Sequence, residues 1–181
     1  MVAIPGDVAD PDHREELAGA VQAVGRLDAL VNNASTLGPA PLPPLATYPL
    51  DALERVLRVN TLAPLALTQR LLPLLAASGG VVVNVSSDAA VETYPGWGGY
   101  GAAKAALDRL SAVLAVELPA LRVYAVDPGD MRTAMHQRAY PGEDISDRPE
   151  PDQVAPALLS LLEGSLPSGR YQAGDLLAEH P

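Results

Sequence analysis

The chain has no cysteine, a single lysine and no long unbroken apolar run. Without thiols it can form neither disulfides nor thiolate metal sites, and it has no Cys nucleophile, which fits a reducing compartment. Positive charge is also scarce: 12 Lys and Arg against 22 Asp and Glu leave a net charge of −10 and a pI near 4.6. A polyanionic nucleic acid would meet no basic field here. The N-terminus MVAIPGDVAD lacks the basic start and apolar core of a signal peptide, and the most apolar helical stretch, Thr61 to Ala77, is interrupted by Gln69 and Arg70. These absences predict a cytoplasmic protein without membrane or nucleic-acid partners. Of three histidines none has a second ligand at metal spacing, so His136 is read as a polar loop group and no metal is expected.

What is present suits one domain over residues 1–181, with 48% hydrophobic residues and enough length for a sizeable core. Short apolar runs alternate with helical segments. MVAIP is followed by a segment in which Asp10 can N-cap and Pro11 can take the first helical position, with Leu17, Ala20, Val21 and Val24 on one face. LDALV, GGVVVNVSS and LRVYAVDPG read as strands, a long helix is expected from about Leu50 to Ala77, and another from Tyr100 to about Leu118. Unbroken apolar strands separated by helices predict an α/β fold, a parallel sheet with helices on both faces.

The lysine stands among eleven arginines, at position 104 in GGYGAAKAAL. An ammonium is a compact charge with a tunable pKa, which a guanidinium is not. Tyr100, four residues earlier, shares its helix face, so the ammonium is expected to favour the phenolate and lower the phenol pKa. Ser87, just past the strand VVVNV, can hold a substrate oxygen beside that phenol. Trp97 and Tyr94 are candidates for lining the pocket, although a loop aromatic covering the core reads equally well. GWGGYG, residues 96–101, fits G-x-G-x-x-G letter by letter, but ten residues separate it from the preceding strand. It is read as a flexible cover beside Tyr100 and not as a phosphate loop.

The spacing of Ser87, Tyr100 and Lys104 resembles the active site of the short-chain dehydrogenase/reductase family, and further matches follow in order along nearly the whole chain. LVNNAS resembles the family's N-N-A-G turn and places Asn33 against the cofactor. RVNTLAP matches the helical asparagine, Asn60, and Pro64 leaves its carbonyl without a helical donor. The resemblance makes that carbonyl the holder of a relay water. GDV resembles the strand-end motif whose Asp7 and Val8 meet adenine, and DPGDMRT resembles P-G-x-x-x-T, with Met131 and Thr133 at the nicotinamide amide. Tyr100 and Lys104 then also contact the cofactor, the lysine by gripping the ribose. The resemblance implies a Rossmann-like parallel sheet and an NAD- or NADP-dependent oxidoreductase acting on a small-molecule carbonyl or alcohol. It also implies a homodimer or homotetramer, and the apolar faces of the two long helices point to a four-helix bundle as the contact.

The family's scheme begins with strand, T-G-x-x-x-G-x-G turn, helix, strand and helix, whereas here MVAIPGDV looks like its third strand. The sequence therefore reads as lacking the first two βα units, and with them the pyrophosphate loop, so weak NAD(P) binding is expected. The lost strands would leave an apolar sheet edge between Val2–Ile4 and the strand at Asp28–Val31. Three readings stay open: an oxidoreductase whose start is placed too late, a non-catalytic relative that binds a ligand or partner, and a gene fragment. In-frame coding sequence upstream of Met1 would favour the first. The segment Ala134 to Pro151 falls where the family keeps its variable substrate lid.

Overall fold

The structure is a computed structural model and describes residues 2–179. Its elements run α1 (Pro11–Val24), β1 (Ala29–Asn32), α2 (Leu50–Leu57), α3 (Ala63–Ser78), β2 (Val81–Val85), α4 (Gly98–Glu117), β3 (Arg122–Asp127), α5 (Ala134–Ala139), α6 (Pro151–Glu163), β4 (Gly169–Gln172) and α7 (Ala173–Glu179). The four strands form one parallel sheet in the order β1-β2-β3-β4. Alternation along the strands divides the core in two. Val81, Val83, Tyr124 and Val126 pack beneath α6 and α7, whereas Val82 and Val123 meet Ala18 of α1 and Leu71 and Leu75 of α3 on the opposite face. Helices therefore cover both faces of the sheet, as the unbroken valine run of β2 requires.

Helix α1 starts where the sequence places it, with the Asp10 carboxylate accepting from the Asp12 N–H and Pro11 in the first turn. Its apolar face differs from the expected one. His13 and Ala18 are buried, Leu17 and Val21 are half-buried, and Ala20 and Val24 are exposed, because the helix leans on α3 with a narrow strip. The long helix also departs from regularity: residues Arg58–Leu62 form a π-helical turn between α2 and α3, and the Ala63 N–H reaches back five residues to the Arg58 carbonyl. That turn buries Val59, Asn60 and Thr61 together.

The strand expected at Val2–Ile4 is not formed. Residues 2–5 join no ladder and Val2 is 86% exposed. An extended run becomes a strand only when a neighbour takes its N–H and C=O groups, and β1, the sheet's first strand, pairs with β2 alone. β1 is accordingly an edge, with Val31 exposed. Among the described residues no helix is long and apolar enough to cross a membrane.

Candidate active site

The carboxyl ends of β1, β2 and β3 open onto one cavity of about 240 Å³, the position at which parallel α/β sheets place their ligands. Asn33 enters just past β1, Ser86 and Ser87 just past β2, Asp127 from the end of β3, and Tyr100 and Lys104 from α4; Met131 and Thr133 line it from the segment leading into α5. Trp97 forms part of the wall and meets the Tyr100 ring edge-on at 5.7 Å. Tyr94 does not line the cavity: its hydroxyl donates to Asp88 Oδ2 at 2.9 Å, and that bond lifts its pKa to about 12. His136 lies on α5, where it faces the Tyr140 ring and approaches Asp130 at 3.6 Å.

Lys104 is only 2% exposed, and its ammonium donates to the Val85 carbonyl at 2.6 Å, 5.6 Å from the Tyr100 ring centroid. Burial pulls its pKa down to about 8, against the opposing charge of Asp108. The expected lowering of the Tyr100 pKa is overturned. Burial raises it, the Ser35 and Ser87 hydroxyls only partly oppose that, and the Asp88 and Asp127 carboxylates add to the rise. The i, i+4 spacing alone gives the wrong sign, because burial of the phenol itself is the largest influence on it.

The depressed lysine pKa has a consequence for stability. Between pH 8 and the ordinary lysine value of 10.5 the unfolded chain holds a proton that the folded chain has released, so stability rises with pH across that window. At pH 7 the buried ammonium costs about 3 kcal/mol. Lys104→Met is expected to be more stable than the parent at pH 7 by about 1–2 kcal/mol, after the loss of the Val85 hydrogen bond, and the gap should close toward pH 10. Urea unfolding at both pH values checks this, and a variant less stable at pH 7 contradicts it.

Ser87 caps the short turn Asp88–Ala90. Its Oγ accepts from the Ala89 N–H at 3.2 Å and donates to Asp88 Oδ1 at 2.9 Å. Asn60 is 0% exposed and does not reach the cavity. Its amide is committed to the turn after β1, accepting from the Thr36 N–H at 2.9 Å and donating to the Thr36 carbonyl at 2.8 Å. Asp7 and Val8 also lie elsewhere. The Asp7 carboxylate pairs with Arg55 at 2.5 Å, and Val8 faces a small separate cavity with Asn32 and Pro64.

The glycine run 96–101 is packing rather than a flexible cover. A Cβ on Gly98 would strike Leu45, one on Gly99 would strike Tyr48, and one on Gly101 would come within 2.6 Å of the Ala89 carbonyl. The absent side chains let the start of α4 press against its neighbours, and no cradle for a phosphate is left there. The nicotinamide end of a dinucleotide finds a better match, since Asn33, Lys104, Met131 and Thr133 all line one cavity with Ser87 and Tyr100.

Sequence reasoning missed several polar groups. Asn84 of β2 donates to Ser111 at 2.8 Å and accepts from Asn32 at 2.7 Å, a buried chain that ties β1, β2 and α4 together. Asp108, Asp127 and Arg170 form a second group beside Ser87. The only hint in the sequence was the polar residue inside VVVNV; nothing local marks Arg170.

A family model described as short chain dehydrogenase matches residues 1–144. The chain is 37% identical over 139 residues to the uncharacterized oxidoreductase YciK of Escherichia coli K12, covering 76% of this chain and 54% of that protein. It is 35% identical over 147 residues to sepiapterin reductase of Rattus norvegicus, covering 77% and 56%. The chain thus spans about half the length of these curated relatives. Among solved structures, a short chain dehydrogenase from Salmonella enterica serovar Typhi superposes with a TM-score of 0.86 at 30% identity, over 94% of this chain and 73% of that one. A further structure, from Escherichia coli CFT073 and complexed with NADPH, gives 0.81 at 35% identity over 90% and 69%.

Proposed function

The chain belongs to the short-chain dehydrogenase family, and from that premise we propose that its cavity carries the proton-transfer site of an NAD- or NADP-dependent oxidoreductase acting on a small carbonyl or alcohol. The observation that carries the reading is the meeting of Ser87, Tyr100 and Lys104 at one cavity over the strand ends. In carbonyl reduction Tyr100 gives its phenolic proton to the substrate oxygen, and Ser87 steadies that oxygen through its Oγ, turning its proton away from Asp88. Lys104 stands ready to balance charge on the phenol. A bound nicotinamide cofactor supplies the hydride, with Asn33, Lys104, Met131 and Thr133 as the residues that would hold its nicotinamide end. Asp7 and Val8 would meet its adenine. Asn60 acts through the Ser35–Thr36 turn that it fixes, and its carbonyl, which Pro64 cannot serve, is the place for a relay water.

Leu37, Trp97, Met135 and Ala139 give the cavity an apolar wall suited to a hydrophobic substrate flank. The test is deuterium transfer. Reduction of a panel of ketones with NADPH dideuterated at C4, by the form that also carries the family's two N-terminal βα units, should place deuterium on the carbinol carbon, and Tyr100→Phe should cut the transfer by about 10²–10⁴-fold. Undiminished transfer in that variant would refute the assignment.

Assembly follows from what α3 and α4 leave open. Leu62 just before α3 and Val113 and Val116 on α4 are exposed, although Leu67, Leu71 and Leu75 face the core. We infer a homodimer, or a homotetramer built from it, that covers these apolar residues. Light scattering at micromolar concentration should give at least twice the mass of one chain, and a monomer contradicts it.

A further inference from the structure

Arg170 lies on β4, at the sheet edge opposite β1, and reaches over the end of β3 toward the cavity. Its Nε donates to Asp108 Oδ2 at 3.0 Å, and its Nη2 donates to the main-chain carbonyl of Ser87 at 3.0 Å and to Asp127 Oδ2 at 3.4 Å. All three side chains are mostly buried, with 26% of Arg170, 15% of Asp108 and 7% of Asp127 exposed. One planar fork therefore joins β4, α4, the end of β3 and the second residue after β2, a geometry that a point-charge ammonium cannot copy.

Each acceptor matters to the cavity. The Ser87 carbonyl also accepts from the Ala90 N–H at 3.1 Å, so Arg170 pins the turn whose first hydroxyl is Ser87 Oγ. Asp108 stands one helical turn beyond Lys104, with its second carboxylate oxygen buried and without a partner among the described residues. Asp127 lines the cavity beside Tyr100. We propose that Arg170 is a positioning residue of this site, anchoring the Ser87 main chain and neutralising Asp108 and Asp127 so that Ser87, Tyr100 and Lys104 keep one arrangement. The purpose of that arrangement rests on the oxidoreductase reading, but the clamp itself is testable without turnover.

The single lysine makes the experiment direct, because a chain labelled with [13Cε]lysine gives one side-chain signal. The Lys104 ammonium meets the Val85 carbonyl on β2 and lies beside the Tyr100 ring, Asp88 and Asp127 line the same cavity, and Asp108, the charge that acts on it, is held by Arg170 on β4. Arg170→Gln strips two carboxylates of their cation, so the Lys104 titration midpoint is expected to rise from about 8 by about one unit. Amide exchange at Ala89 and Ala90 should quicken roughly tenfold, with Val82 and Val83 unchanged. Arg170→Lys keeps the charge but not the fork: the midpoint should stay near that of the parent while the Ala89 and Ala90 amides still exchange faster. A folded Arg170→Gln chain with the parent's midpoint and exchange overturns the proposal. If Arg170→Gln does not fold, unchanged exchange in Arg170→Lys overturns it. Neither readout depends on catalysis, so failure here leaves the deuterium test standing, and failure there leaves the clamp standing.

Discussion

Tyr100→Phe, made in a form of the chain that also carries the family's two N-terminal βα units, is expected to lower carbonyl reduction by about 10²–10⁴-fold. The loss should fall on kcat, because the ring keeps its edge contact with Trp97 and only the oxygen facing Ser35 and Ser87 is removed. Lys104→Arg should also lose most of the activity although it keeps the positive charge. The ammonium sits buried against the Val85 carbonyl, where the larger guanidinium fork would displace its neighbours. Initial rates of NADPH-dependent reduction of a ketone panel check both variants, and retention of more than about half the activity by either folded variant would refute its catalytic role. The raised phenol pKa also sets a direction. Tyr100 keeps its proton through neutral pH, so reduction holds its proton donor there, while alcohol oxidation, which needs the phenolate, should climb on the alkaline side.

The parts that were legible in the sequence are those decided by neighbours in the chain. Asp10 and Pro11 announce the start of α1, the valine run announces a strand buried on both faces, and the offset of Tyr100 from Lys104 places both on the cavity side of α4. The parts that were not legible depend on groups distant in sequence. Arg170 meets Ser87 only because parallel crossovers bring β4 beside β3. Val2–Ile4 has strand composition but no strand to pair with. The π-helical turn at Arg58–Leu62 hides inside a pattern that fits one continuous helix, and the sign of the Tyr100 shift is set by burial, which spacing does not report.

The second large effect concerns the cofactor. We propose that the described residues hold a proton-transfer site without a cradle for the dinucleotide's phosphates. The glycine run 96–101 is filled by Leu45, Tyr48 and Ala89, and the Asp7 carboxylate is engaged by Arg55. The contacts left are those of the nicotinamide end and of the adenine at Asp7 and Val8. In the family's scheme the pyrophosphate is held by backbone N–H groups of the glycine-rich turn and the dipole of the following helix. Forgoing several charge-assisted hydrogen bonds of roughly 1.5–3 kcal/mol each carries a micromolar site to millimolar or weaker. Calorimetric titration with NADPH, run on the 181-residue chain beside the form extended by the two βα units, is the most direct test. Heat of binding in the micromolar range is expected for the extended form, and millimolar or undetectable binding for the 181 residues alone. Micromolar binding by the 181-residue chain itself would contradict it.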